Sequence, residues 1–469
     1  MMRITPWSNL RLQAGRLFCS QLRVNMASGV ITTGVNALIL LISYPLYLHF
    51  LGYEKYGVWL VLSTVMMFAQ LGGLGLAPAL MKLVAEELGK GDHKGIERYS
   101  STALALMCVS GAIVLTIILL LKAPIIGAFR MNGENSLLVS WLLPYIGGLT
   151  IYAFLVQTLG AVLSGMGRMD FTNYIVALGA IVQAAVAAFL LSMGFAIPSL
   201  LIGSICSLLV IHAVTLKCIR RIASFHFCRI ENLSVRCCLN LIRFGNSIFL
   251  GSLISMLLNP FNRLAVSRYT GVMMVPVYDI AFSGGMQVRN LIEAGLRSIV
   301  PEISRVNANN SSEATGRVYS VYRRSVRLIL VLGIPLFGIL AILAPTLLKA
   351  WLRSKFVPEV SMAFVIMLAG MFLSLAGVPA YYTLVGLGRV HHVLAASVVQ
   401  GVLNVLLVLG MATLSVLSIN GVVVCTSLSF AASTAYLLFQ NRRIRRGMSF
   451  LPNQYNGLDP SEIHEGQRT

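Results

Sequence analysis

Twelve runs of predominantly apolar residues recur along the chain, at 27–49, 56–79, 100–121, 137–163, 172–193, 197–216, 242–264, 276–300, 327–348, 358–385, 393–415 and 419–440. Each is close to the roughly 20 residues that a helix needs to cross the hydrocarbon core of a bilayer. In lipid every backbone N–H and C=O must be bonded within the protein, so such a pattern folds as membrane-spanning helices. The hydrophobic fraction of 57% across 469 residues, with 11% charged, is more apolar surface than a soluble chain of this length needs.

Net charge is +20, which in a soluble protein would raise nucleic acid as a partner. The distribution of the charge gives a better account. Of 36 Lys and Arg, 26 lie in the tails and even-numbered connections and 8 in the odd-numbered ones, while Arg289 and Arg297 fall inside the eighth run. By the positive-inside rule both termini are expected in the cytoplasm, and no nucleic-acid role is expected. The odd-numbered connections are short and leave no room for an external domain.

A repeat divides the chain. Leu163, Gly165, Gly167 and Arg168 recur as Leu384, Gly386, Gly388 and Arg389. Two halves in the same orientation are what a pseudo-two-fold axis along the membrane normal produces. The expected fold is an all-α polytopic membrane protein of about 12 transmembrane helices in two six-helix lobes. Residues 27–216 form the N-lobe, 217–241 a basic cytoplasmic linker, 242–440 the C-lobe and 441–469 a cytoplasmic tail. Residues 1–26 read either as a basic segment resting Trp7, Leu10, Leu17 and Phe18 on the membrane surface, or as a disordered tail. They lack the short apolar region of a cleaved signal peptide.

The eighth run breaks the apolar rule. Arg289, Glu293 and Arg297 are spaced by four, so they share one helical face, and Asp279, Ser283, Met286 and Asn290 extend the stripe. Charges at membrane depth are costly and mark functional sites by default. The plainer alternative is that Glu293 bridges two arginines to hold helices together. Two arginines sharing one carboxylate leave net positive charge facing inward, which favours a lining site. Polar residues at helical spacing also mark the first run (Thr32, Asn36, Ser43, Tyr47), the second (Ser63, Gln70) and the seventh (Ser252, Ser255, Asn259, Arg263). Each alone reads as interhelical glue; together they outline a hydrophilic cleft between lobes. Pro45 and Pro260 are candidate hinges or ordinary kinks.

No catalytic constellation, metal-binding spacing or nucleotide-binding glycine loop is present, and the eight cysteines are expected to be unpaired. Neither an enzymatic activity nor a cofactor is expected.

The motifs Tyr44-Pro45-Leu46-Tyr47, Leu51-Gly52, Tyr56-Gly57-Val58-Trp59 and Gly73-Leu74-Gly75, with Tyr269-Thr270-Gly271, Pro301-Glu302-Ile303-Ser304 and Gly386-Leu387-Gly388-Arg389, resemble a known family. It is the polysaccharide-transporter branch of the multidrug/oligosaccharidyl-lipid/polysaccharide exporter superfamily, with the Wzx-type flippases among its members. The resemblance implies two six-helix lobes around a cavity and alternating-access movement of undecaprenyl-diphosphate-linked oligosaccharide repeat units, for O-antigen, capsule or exopolysaccharide export. A glycan polymerase and a chain-length regulator are the partners it implies besides the bilayer and the lipid-linked substrate.

On this reading Arg289, Arg297 and Arg263 meet the diphosphate, because guanidinium groups fork onto phosphate oxygens. Asn290, Asn259, Gln70, Asn36 and Thr32 meet the glycan. Glu293 and Asp279 orient the arginines or couple transport to a proton or sodium gradient. The rivals are a drug/cation antiporter of the same superfamily and, more remotely, a membrane glycan polymerase or ligase. Drug and cation exporters place a carboxylate in the N-lobe cavity, and the first six runs contain none.

Overall fold

A computed structural model of the chain describes residues 7–131, 133–222, 232–296, 312–387 and 389–449. Arg297, Pro301 to Ser304, Cys228, Gly388 and the end of the tail lie outside the described residues, as do the side chains of Trp7 to Phe18, Ser252 and Ser255.

The described residues form helices throughout: α1 (Trp7–Ala69), α2 (Leu76–Lys90), α3 (His93–Leu120), α4 (Lys122–Ala128), α5 (Gly133–Gly165), α6 (Met169–Ser192) and α7 (Pro198–Ile222). After these come α8 (Val235–Thr270), α9 (Val275–Leu296), α10 (Ser312–Leu328), α11 (Ile334–Leu352), α12 (Pro358–Gly386), α13 (Val390–Thr413) and α14 (Ile419–Ser449). Among the described residues, nine stretches are long and apolar enough to cross a membrane. One of them, Ala27–Gly73, contains the first expected span and most of the second, while α8 covers the seventh and α9 the described part of the eighth. The all-helical architecture expected from the twelve apolar runs is the one observed.

Local sequence explains where helices start and break. α1 is interrupted at Gly52, whose φ of 70° and ψ of 178° suit a residue with no Cβ. Asp92 caps α3 by accepting a hydrogen bond from the Gly95 N–H at 2.9 Å, and Ser234 caps α8 through the Cys237 N–H at 3.5 Å. The second span differs from the expected continuous helix. It stops in a 3-10 turn at 70–73, Leu74 and Gly75 take left-handed conformations, and α2 starts afresh. Gly75 is required there by contact as well as by φ, because a Cβ would lie 2.5 Å from the Gly245 carbonyl oxygen on α8.

The repeat has a structural counterpart. Arg168 N–H donates to the Leu163 carbonyl at 3.3 Å after α5, and Arg389 N–H donates to the Leu384 carbonyl at 2.9 Å after α12. Both leucines are buried. The recurring residues thus close the same kind of helix C-terminus, with a carbonyl near the end satisfied from beyond it.

Packing separates the chain into two compact units. The first comprises Met1–Ser283, Pro345–Ala363 and Val408–Val422, and the second Gly284–Ala344, Phe364–Leu407 and Val423–Thr469. This partition by contact differs from the partition into lobes drawn from the repeat. In the first unit Leu76, Leu80, Val84, Ile96, Met107, Phe154 and Leu163 form the main apolar cluster. In the second, Ala380, Leu384, Val393, Ala396 and Leu437 pack together with Tyr322 against them. Helices α6 and α7 approach closely through Gly179 and Gly203, and Gln183 donates across to Ser204 at 3.1 Å. Small residues and short polar cross-links are what hold helices together where lipid competes equally for apolar contact.

Candidate functional site

Among the described residues two arginine–carboxylate groups lie within the helices, one in each compact unit. The first is assembled by the α8–α9 hairpin. Gly271, at φ 98°, and a 3-10 turn at 272–274 reverse the chain, setting Arg263 of α8 against Asp279 of α9. One position earlier on both helices, Asn262 donates to the Tyr278 hydroxyl at 3.0 Å, so two polar cross-links tie the hairpin. α1 completes the group from both sides of its Gly52 break. Tyr44 donates to Asp279 Oδ2, Arg263 Nη2 donates to Oδ1, and Arg263 Nη1 reaches Ser63 Oγ at 3.1 Å.

The surroundings are aromatic. Tyr44 packs edge-on against Tyr56, with centroids 5.9 Å apart, and against Trp351 at 6.1 Å. The Arg263 and Asp279 side chains are only 9% and 3% exposed. Away from water the charges are affordable only as a bonded pair. Here the pair has both carboxylate oxygens occupied. Arg263 Nε and Asn259 Oδ1, one turn back on α8, are buried without a hydrogen-bond partner among the described residues.

The second group stands on α9 and α12. Arg289 Nη1 pairs with Glu293 Oε2 at 2.8 Å, and the Tyr382 hydroxyl donates to Glu293 Oε1 at 3.0 Å. Tyr381 lies edge-on to Tyr382, with centroids 5.3 Å apart. The side chains are 18% and 16% exposed, and Arg289 Nε is buried without a partner among the described residues. Arg289 therefore keeps donors for a further acceptor, while the Glu293 carboxylate is held in place by two groups. Asn290 beside them is half-buried.

The remaining expected ligands scatter. Thr32 is buried and donates to the Asn173 carbonyl at 3.0 Å, and the neighbouring Ser28 accepts from Asn173 Nδ2 at 2.9 Å, so this face of α1 joins it to α6. Asn36 and Gln70 are exposed, and neither is drawn into the Arg263 group. Charge spacing on a single helix does not reveal Tyr44 and Tyr382, which reach the carboxylates from other helices, or Ser63, which meets the Arg263 guanidinium; the Tyr-Pro-Leu-Tyr motif was the one available signal for Tyr44.

Two further carboxylates are buried near the ends of helices in the first unit. Asp170 accepts from Arg168 through both oxygens at 3.1 Å. Glu87 accepts from Lys90 at 2.7 Å, and this hydrogen bond and charge raise the Lys90 ammonium above its ordinary value. Both are matched with cations, and both lie outside the apolar runs. No group of three or more His, Cys, Asp or Glu is positioned to hold a metal ion among the described residues.

Comparison with known proteins places this fold. The MatE family model matches residues 30–190. An inward-facing multidrug resistance MATE family transporter of the MOP superfamily aligns with a TM-score of 0.71 at 14% identity, covering 92% of this chain and 96% of that one. The lipid II flippase MurJ in an inward closed conformation also aligns at 0.71 and 14% identity, covering 90% of this chain and 89% of its own. An outward-facing MATE structure aligns at 0.61, again at 14% identity and with 92% and 96% covered. Among curated protein sequences none matches. The chain has the two-lobed, all-helical MATE and MurJ fold.

Proposed function

We propose that this protein is a flippase that moves undecaprenyl-diphosphate-linked oligosaccharide repeat units across a bacterial inner membrane by alternating access, for export of a surface polysaccharide. The observation that carries the proposal is the Arg289 group: a partly open guanidinium with an unused buried donor, inside an apolar helix and braced by Glu293 and Tyr382. A planar, permanently charged donor of this kind suits a diphosphate, and a charge at such depth is retained for function more often than for packing. Similarity in fold to a protein described as a lipid II flippase supports a lipid-linked substrate.

In this reading the lobes are 27–216 and 242–440, joined by the linker 217–241, and both termini are cytoplasmic. Arg289 and Arg297 take the diphosphate, with Asn290 beside them. Arg263 is the third arginine of this reading, available to a phosphate once Asp279 has released it. Glu293 and Asp279 are the groups through which a proton or sodium gradient would act, and a glycan polymerase with its chain-length regulator would receive the product.

The test is to reconstitute the protein in vesicles with a lipid-linked oligosaccharide on one leaflet and follow its exposure on the other. The wild type is expected to translocate the lipid and Arg289→Ala to fail. In cells, loss of the protein is expected to trap lipid-linked repeat units on the cytoplasmic leaflet. Normal surface glycan in a strain without any second flippase, together with export of cationic drugs by the purified protein, would instead favour the drug/cation antiporter; a protein described as a multidrug resistance transporter shares this fold.

A further inference from the structure

In the first compact unit, α3 and the second half of α1 are separated by a groove of about 760 Å³, closed from behind by α8. Its walls are aliphatic and aromatic, including Leu71, Leu106, Ile113, Phe249 and Leu264. Its one hydroxyl, on Ser110, is turned into the wall to donate to the Gly72 carbonyl. Val109 and Ile113, a turn apart on α3, line the groove while remaining more than half exposed, so it is open along its side. From Leu106 to Ile118 the lining of α3 extends about 18 Å at 1.5 Å per residue. That is close to half of a hydrocarbon core about 30 Å thick, the depth of one leaflet.

The ends of the groove are unlike. At one end Leu121, Ala128 and Phe129 line it. There Arg268 Nη1 donates to the Ala128 carbonyl at 3.4 Å, and the Arg130 and Arg268 guanidinium carbons each lie 5.9 Å from the centroid of the Tyr269 ring. Lys122 follows Leu121 directly. None of these three cations is paired with a carboxylate among the described residues. At the other end, where Ile242 lines the groove, Lys82 lies 3.5 Å above the Phe244 ring and pairs with Glu86 at 3.1 Å, and the neighbouring Arg243 also has a partner.

We propose that this groove is a binding site for one anionic phospholipid, an acyl chain lying along α3 and the phosphate resting on Lys122, Arg130 and Arg268. Length selects a single chain of one leaflet, the walls exclude a polar ligand, and the cations at one end select the sign of the headgroup. The site is distinct from the Arg289 group and does not depend on what the protein transports.

The test uses the full-length protein, stripped of lipid and re-equilibrated with defined mixtures of phosphatidylglycerol and phosphatidylcholine, with bound lipid counted by native mass spectrometry. The wild type is expected to retain one phosphatidylglycerol in preference to phosphatidylcholine. The double variant Arg130→Gln, Arg268→Gln should lower that preference by at least about tenfold, since each basic residue at a membrane surface contributes roughly fivefold. Ile113→Trp, at a laterally open position where the larger ring displaces no packed core, should lower retention of both lipids. Retention unchanged by Ile113→Trp would overturn the groove as the seat of the chain. A preference that survives the arginine double variant would overturn the headgroup assignment.

Discussion

The two arginine–carboxylate groups use the same chemistry in different settings. Arg263 and Asp279 come from two helices of a hairpin, are almost wholly buried, and receive a tyrosine hydroxyl and a serine from α1. Arg289 and Glu293 come from one helix, a turn apart, and retain about one sixth of their side-chain surface exposed. A bonded pair sealed from solvent spends its charges on each other, and removing either member strands the other. A pair one turn apart on a half-open face pays little for its geometry and leaves donor capacity for a third party. The difference teaches that an intramembrane arginine identifies a ligand site only when part of its side chain stays open, since both arginines have a buried Nε without a partner among the described residues.

The comparison can be broken most sharply at Asp279. Asp279→Ala strands Arg263 and is expected to cost about 3–5 kcal/mol of stability, read by unfolding in detergent. The double variant Arg263→Met, Asp279→Leu should recover most of that loss, because an apolar pair replaces a desolvated one. If the single variant is as stable as the wild type, the first group is not a sealed structural pair.

Arg289 should behave in the opposite way. Arg289→Ala is expected to reduce translocation of a lipid-linked oligosaccharide in vesicles about 10- to 100-fold, the scale of hydrogen bonds to a charged ligand, while stability falls by less than the loss expected for Asp279→Ala. Arg289→Lys should restore little of the activity, because a point charge does not reproduce the guanidinium fork. Loss of stability in place of transport would make this second group a copy of the first.

Tyr382→Phe removes one hydrogen bond from Glu293 and is expected to cost about 1 kcal/mol, seen as a several-fold slower translocation with unchanged folding. The smallest effect belongs to Asn259. Its buried Oδ1 has no partner among the described residues, so Asn259→Leu should leave stability unchanged or raise it by up to about 1 kcal/mol. Asn262→Leu, three residues further along α8, breaks the bond to Tyr278 and should lower it by a similar amount.

What could be read from the sequence follows the range over which its signals act. The apolar runs and their order were legible because a bilayer imposes length and hydropathy on every helix. So was the Arg289–Glu293 pair, because i, i+4 spacing acts within one turn. The partnership of Arg263 with Asp279 was not, since it depends on how the chain reverses at Gly271; nor were Tyr44, 235 positions from Asp279, and Tyr382, 89 positions from Glu293. Placing Asp279 on one stripe with Arg289 grouped by periodicity two residues that tertiary partners claim separately. The break inside the second run was signalled only by Gly72, Gly73 and Gly75, which read as close packing or a tight turn, and the left-handed conformation of Leu74 has no signal in its side chain.

The α8–α9 hairpin has a consequence for how the chain enters the membrane. A lone arginine near the middle of a helix raises the free energy of insertion by about 2.5–3.5 kcal/mol, and an aspartate does the same. Arg263 and Asp279 stand at the ends of their runs nearest the Gly271 turn, where that cost is smaller, and pairing across the turn offsets what remains of it. Integration of α8 at the translocon is therefore tied to the arrival of α9, so the two pass into lipid as one unit. Truncation after Gly271 should leave α8 poorly integrated, and extension through Asp279 should restore it.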